Sequence, residues 1–159
     1  MNSGGMFGTL VLRPGFCQWV VDKLPWLAIN VIGYLWAIQD GLTLILWLMI
    51  AMSVHLLYQL LYLMMIRYII TDEVIIYEHG VFMRQKEYIE LYRVIDFRES
   101  VSFMQNLLDL KTVTVYSGDR TTPKLRIHGI YIGLQLVPHM RQRVEYNRRR
   151  KGIYEITNR

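Results

Sequence analysis

Polar and apolar positions along the chain follow one rhythm up to residue 66 and another after it. Residues 42–66 are 25 positions without a single Asp, Glu, Lys or Arg, and their only clearly polar members are Thr43, Ser53, His55 and Gln59. A helix of that length is about 37 Å long, enough to cross a hydrocarbon core of about 30 Å with tilt. The apolar stretch before it, residues 25–38, spans only about 21 Å and is too short alone. Extending it back to Phe16 supplies the length and brings in Asp22 and Lys23, which suit the headgroup level beside Trp19 and Trp26. Residues 16–38 therefore read as an interfacial lead-in plus a short span, with Pro25 placed in a first helical turn. Gln39-Asp40-Gly41 is a link so tight that the two helices form an antiparallel hairpin.

After Arg67 the period shortens to that of strands. Val74-Ile75-Ile76-Tyr77 runs to a turn at Glu78-His79-Gly80, and residues 81–84 answer it as a hairpin. Residues 86–93 alternate Tyr88, Glu90 and Tyr92 against Ile89 and Leu91, and residues 94–98 continue the strand. Residues 102–110 lose the alternation and predict a short helical turn. Residues 111–117 and 124–128 are strands around a loop at 118–123. From about Gly133 to Lys151 the pattern is helical, with Leu134, Val137, Met140 and Val144 on the apolar side and a start or kink near Pro138. Six or seven strands and one terminal helix predict a small antiparallel barrel or sandwich capped by a helix.

Charge is distributed as unevenly as hydropathy. The first 66 residues balance Arg13 and Lys23 against Asp22 and Asp40, so the whole net charge of +5 lies in the remainder. Hydrophobic residues make up 53% and charged residues 19%, which argues against an ordinary soluble enzyme and against a disordered chain. No cleavable signal peptide is expected, since residues 1–12 have no charged start and no small-residue cut site. The turn between the helices has no Lys or Arg, whereas both flanks do, so both termini are expected in the cytoplasm. The resulting plan is a cytoplasmic segment over 1–15, a transmembrane hairpin over 16–67, a cytoplasmic module over 68–151 and a tail over 152–159. The single Cys17 leaves no disulfide and no multi-cysteine metal site.

Three groups of residues carry a resemblance. Tyr68-Ile69-Ile70-Thr71, then Gly80-Val81-Phe82-Met83-Arg84, then Glu87 with Ile89-Glu90-Leu91-Tyr92-Arg93-Val94-Ile95-Asp96 follow a hairpin in that order. Leu107-Leu108 and Thr112-Val113-Thr114-Val115 come next. The pattern resembles the bacterial pleckstrin-homology-like (PH-like), membrane-flanked domain family over residues 68–150, through Tyr68, Thr71, Gly80, Arg84, Glu87, Leu91, Arg93 and Asp96. It departs at Asn106 and Asp109, where the family usually has Arg and Gly. The resemblance implies a PH-like fold of two antiparallel sheets closed by the C-terminal helix, and a binding module rather than a catalyst.

The residues agree with that expectation. His79, His128 and His139 have no metal-ligand spacing, no nucleotide loop or nucleophile motif occurs, and neither a cofactor nor a small-molecule substrate is indicated. His55, Gln59 and Tyr62 share one helix face, and Asn30 on the first helix is expected near the depth of Gln59, as inter-helix hydrogen bonding requires. Arg141, Arg143, Arg148, Arg149, Arg150 and Lys151 place six cations in eleven residues, as a solvated helix end, a contact for anionic lipid or a protein contact. Nucleic acid is not expected, because stacking aromatics beyond Tyr146 are missing from this cluster. The leading reading is a non-enzymatic protein of the bacterial inner membrane whose PH-like module binds a protein partner or its own copies, as a small subunit of a larger complex. A lipid-surface sensor using the basic helix is the alternative, and a transporter or channel accessory is a second.

Overall fold

In the computed structural model, which describes residues 7–152, the apolar run folds as α2 (Thr43–Met65) and the stretch before it as α1 (Phe16–Gln39). Among the described helices α2 alone is long and apolar enough to cross a membrane, with mean hydropathy 2.0. The lead-in and short span of the first helix are one continuous helix. Pro25 therefore lies well inside α1 rather than in its first turn, where it leaves the Val21 carbonyl without its helical donor. The two helices run antiparallel from a turn in which Gly41 takes φ +65°. Asn30 donates to the Met49 carbonyl at 3.1 Å, and Ser53 bonds both Asn30 and Tyr34 at 3.1 Å. Asn30 thus meets Met49 and Ser53 rather than Gln59, because a turn at residues 40–42 folds residue 30 back onto the middle of α2.

Seven strands follow or flank the hairpin. Sheet one has the order β1 (Leu10–Leu12), β2 (Arg67–Ile70), β3 (Val74–His79), β4 (Gln85–Glu90), and sheet two the order β5 (Val94–Ser100), β6 (Leu110–Ser117), β7 (Lys124–Tyr131), every pairing antiparallel. β1 has no signature in the sequence: three residues ahead of α1 are too short a run to show a period, yet Leu10, Val11 and Leu12 pair with Ile70, Ile69 and Tyr68. The module is therefore built from chain on both sides of the hairpin.

Two expected strands are redrawn. Residues 81–84 do not answer β3; they form a loop, and β4 starts at Gln85. Gly80 causes this, since at φ +109° it turns the chain where any Cβ would collide with the Met83 carbonyl oxygen. Residues 86–93 are not one strand either. Leu91–Arg93 is a 3-10 turn that drops Leu91 fully into the core and carries the chain from sheet one to sheet two.

Between the sheets Tyr68, Ile70, Ile75 and Ile89 face Val113, Val115, Leu125 and Ile127, all buried. The end of this sandwich is closed by α4 (Leu136–Arg150), which inserts Leu136, Met140 and Val144. Pro138 sits in the first turn of α4, where a missing N–H costs nothing. Each such side chain contributes about 1.5–3 kcal/mol by burial.

The short helix α3 (Phe103–Leu107) begins at a capping box. Ser102 Oγ accepts from Gln105 N and the Gln105 side chain accepts from Ser102 N. Opposite Thr112 the strand β7 bulges over His128 and Gly129, and Gly129 takes φ +67°. A Cβ there would lie 2.8 Å from Gln18 Cβ on α1. Gly129→Ala is expected to cost about 1–2 kcal/mol for the left-handed backbone alone, and further for the displaced helix. Thermal unfolding of the detergent-solubilised full chain measures this, and an unchanged midpoint refutes it.

Candidate functional site

The helices meet the module at two places. On the α1 side, buried Gln18 donates to Asp22 Oδ1 at 2.8 Å and accepts from Gln105 Nε2 at 2.9 Å, while Gln105 also donates to Thr112 Oγ1 at 2.8 Å. This chain of amides ties helix α1, helix α3 and sheet two together, with every polar atom in it directed at a partner. On the α2 side, Tyr62 Oη lies 3.3 Å from His79 Nδ1, and His79 Nε2 lies 3.3 Å from Glu87 Oε1. Thr122 donates to Glu87 Oε2 at 2.7 Å. Tyr77 stacks between Tyr68 and His79, with ring centroids 5.2 and 4.6 Å away. Burial pushes the Tyr77 hydroxyl up to about 12, and the Tyr68 hydroxyl higher still, so both remain neutral. His79, expected in a turn, ends β3 and is the middle of a chain from α2 to the loop between β6 and β7.

Two grooves open beside these junctions. One, of about 400 Å³, lies on the outer face of sheet two, where Arg98, Thr114, Tyr116 and Arg126 face Gln18 and Asp22 of α1. The other, of about 650 Å³, lies where Ile66, Tyr77 and Glu87 meet the outward residues of β7. Lys124, Arg126 and His128 border both. Burial holds the His128 imidazole below its ordinary range, an effect that Asp22 opposes and Arg126 reinforces. The alternation in β7 was legible, but nothing in a single sequence places these outward side chains under α1.

The basic cluster of α4 is not one surface. Arg143 is buried, and its guanidinium donates to the carbonyls of Ile70, Thr71 and Gly8 at 3.0, 2.9 and 2.6 Å. Arg148 donates to the Val94 carbonyl at 2.7 Å. Arg150 pairs with Glu73 at 2.6 Å, and Lys151 sits 3.8 Å from the Tyr92 ring centroid. Arg141 and Arg149 are exposed. A helical period of 3.6 residues spreads consecutive arginines around the axis, so a linear cluster becomes internal clamps and separate surface charges.

In the hairpin, His55 and Gln59 bond one another at 2.6 Å. They line a cleft of about 420 Å³ together with Trp19, Lys23 and Tyr58. Of the family-pattern residues, Tyr68 donates to the Arg126 carbonyl at 3.0 Å and joins the two sheets. Thr71 closes the β2–β3 turn by accepting from Val74 N at 3.0 Å. Arg84 is exposed in the loop after Gly80. Arg93 pairs with Glu90 and Asp119 at 3.2 and 3.7 Å, and Asp96 accepts from Phe97 N at 2.7 Å. Asp109 occupies φ +52°, a left-handed position that glycine adopts freely, and its carbonyl accepts from Ile132 N at 2.8 Å. Among the described residues no group of three or more His, Cys, Asp or Glu is placed to hold a metal ion.

One apolar surface escaped the sequence reading. Phe103 and Leu107, one turn apart on α3, are 81% and 73% exposed, beside exposed Val101, Met104 and Leu108. Five residues are too few for a periodic signal.

Two antiparallel sheets closed at one end by a helix define a PH-like module. Comparison with family models matches residues 23–145 to the bacterial PH domain, and the chain belongs to that family. No curated protein and no solved structure matches.

Arg143 and Arg141 differ by two residues and should differ sharply in effect. Arg143→Leu removes a buried charged donor from three backbone carbonyls and is expected to lower stability by about 3 kcal/mol. Arg141→Leu, at an exposed position, is expected to change it by less than about 0.5 kcal/mol. Equal melting shifts for the two variants would contradict the clamp.

Proposed function

We propose that this chain is a non-enzymatic protein of the bacterial inner membrane, anchored by a two-helix hairpin with both termini in the cytoplasm. Its PH-like module serves protein–protein interaction or self-assembly as a small subunit of a larger complex. The membrane part rests on the hydropathy of α2 and on the antiparallel packing of α1 beside it. The loop after β3 supports the same placement. Phe82 is 89% exposed and stacks on Tyr58 at 6.3 Å, and Tyr58 lies about 10 Å along the helix from its end at Met65. An exposed aromatic at that depth fits a module seated on the bilayer rather than hanging below it.

The observation that carries the interaction reading is the apolar surface of α3. Phe103 and Leu107 project from the element that also holds α1 through Gln105, and clustered exposed apolar side chains mark contact surfaces. β4, at the edge of sheet one, offers a second contact, since its free side can accept a partner strand. A lipid-sensing role for α4 is less favoured, because Arg143, Arg148 and Arg150 already hold partners within the module.

The test is gentle detergent extraction of the tagged full-length chain, followed by mass measurement and identification of what is bound. The expected result is a defined assembly, hetero- or homo-oligomeric, that is lost in Phe103→Ser/Leu107→Ser while the variant keeps its unfolding midpoint within a few degrees. A monomer with no bound protein refutes the interaction reading, as does an assembly indifferent to both substitutions.

A further inference from the structure

Arg98, Lys124 and Arg126 stand on the outer face of sheet two, and among the described residues none of them takes part in an ion pair. Strand register sets their spacing. Arg98 is opposite Thr114 and Thr114 is opposite Arg126, so one row across three strands reads Arg-Thr-Arg. With strands about 4.8 Å apart, the two arginine backbones are about 10 Å from each other. The adjacent row places Tyr116 opposite Lys124. The Arg98 guanidinium and the Lys124 ammonium lie 5.9 and 5.5 Å from the Tyr116 ring centroid, so one ring sits between two cations. The groove they border holds about 400 Å³ and includes the hydroxyls of Ser100 and Thr114. Its one carboxylate, Asp22, already accepts from Gln18. His128, held below its ordinary range by burial, adds no cation at neutral pH. Three cations against one carboxylate, with hydroxyls such as those of Ser100 and Thr114 among them, make a site for a doubly bonded oxyanion, for which arginine's planar fork is suited.

Position identifies the source of that anion. Arg126 and Lys124 line the groove beside Asp22 of α1 and also the neighbouring groove beside Ile66, where α2 ends. α1 packs over β7 and α3 on this face, and α2 ends beside the same β7 side chains at Ile66. On the membrane-anchored reading given above, on which this inference rests, these side chains look into the headgroup layer, where phosphate esters are abundant. Anionic lipid attracts each nearby Lys or Arg appreciably.

We propose that the outer face of sheet two binds the phosphate of an anionic phospholipid headgroup, held by Arg98 and Arg126 across Thr114, with Lys124 and the Ser100 hydroxyl completing the site. From sequence alone, lipid contact is expected in the basic helix. In this account the contact belongs to the sheet, and Arg143, Arg148 and Arg150 of the helix serve the fold.

The test uses the full-length chain in mild detergent, with native mass measurement after addition of phosphatidylglycerol, phosphatidylcholine or glycerol 3-phosphate. Wild-type chain is expected to retain phosphatidylglycerol at least tenfold better than phosphatidylcholine. R98Q/R126Q is expected to lose that preference by about tenfold or more, whereas R141Q/R149Q keeps it. Equal retention by R98Q/R126Q and wild type overturns the site. Binding of glycerol 3-phosphate as tight as that of the lipid assigns the site to a soluble phosphate ester and overturns the headgroup assignment. Alkaline carbonate extraction of the same membranes reports anchoring separately. A chain that washes off refutes the anchored reading, and an anchored chain with no loss in R98Q/R126Q refutes the headgroup site alone.

Discussion

The arrangement depends on a buried side-chain amide pair. Gln18 sits two residues into α1 and is 2% exposed, and Gln105 sits in α3 at 5%. Their 2.9 Å hydrogen bond joins the start of α1 to α3, and through Thr112 to the outer face of sheet two. Burying two amides is unfavourable unless each finds partners, and here Asp22 and Thr112 supply the remaining ones. The helix can approach this closely because Gly129, at a bulge in β7, presents no Cβ. At the other helix, Ile66 passes directly from α2 into β2 with no linker. A module held at both helices has little freedom to swing, which fixes how its two sheets sit against the helices.

Legibility in the sequence followed the length of each periodic signal. The 25-residue apolar run, the alternation of Lys124–His128 and the helical pattern ending in Arg148, Arg149 and Arg150 each persist long enough to be read, and each forms the expected element, the strand running on to Tyr131. Leu10–Leu12 is too short to show a period and gains its strand only by pairing with β2. Residues 86–93 kept the strand pattern across a 3-10 turn, because Leu91 must be buried whether the chain runs straight or turns there. The order of short motifs carried the family assignment, and the match over residues 23–145 agrees with it. At Asp109 the backbone takes a left-handed angle of the kind glycine adopts freely.

Charge was harder to read than hydropathy. Six cations in eleven residues looked like one surface, yet three of them are bonded within the module. Arg98, Lys124 and Arg126 are spread over 29 residues of sequence and appear unrelated until strand pairing sets them side by side. Apolar burial is decided by local periodicity, whereas a charged site is assembled by long-range register, which a single sequence does not reveal. Likewise His79 gains its partners Tyr62 and Glu87 from two different elements.

The fixed geometry of the module on its hairpin is tested most directly by spin-label distances in lipid nanodiscs. Cys17, which is free and exposed, is first replaced by serine, and labels are attached at Leu35 of α1 and at Arg120 in the loop between β6 and β7. Fixed docking predicts one narrow distance distribution that broadens when Gln105→Ala removes the amide pair. A broad distribution in the parent chain, unaffected by that substitution, would mean that the module swings on its helices and would contradict the account.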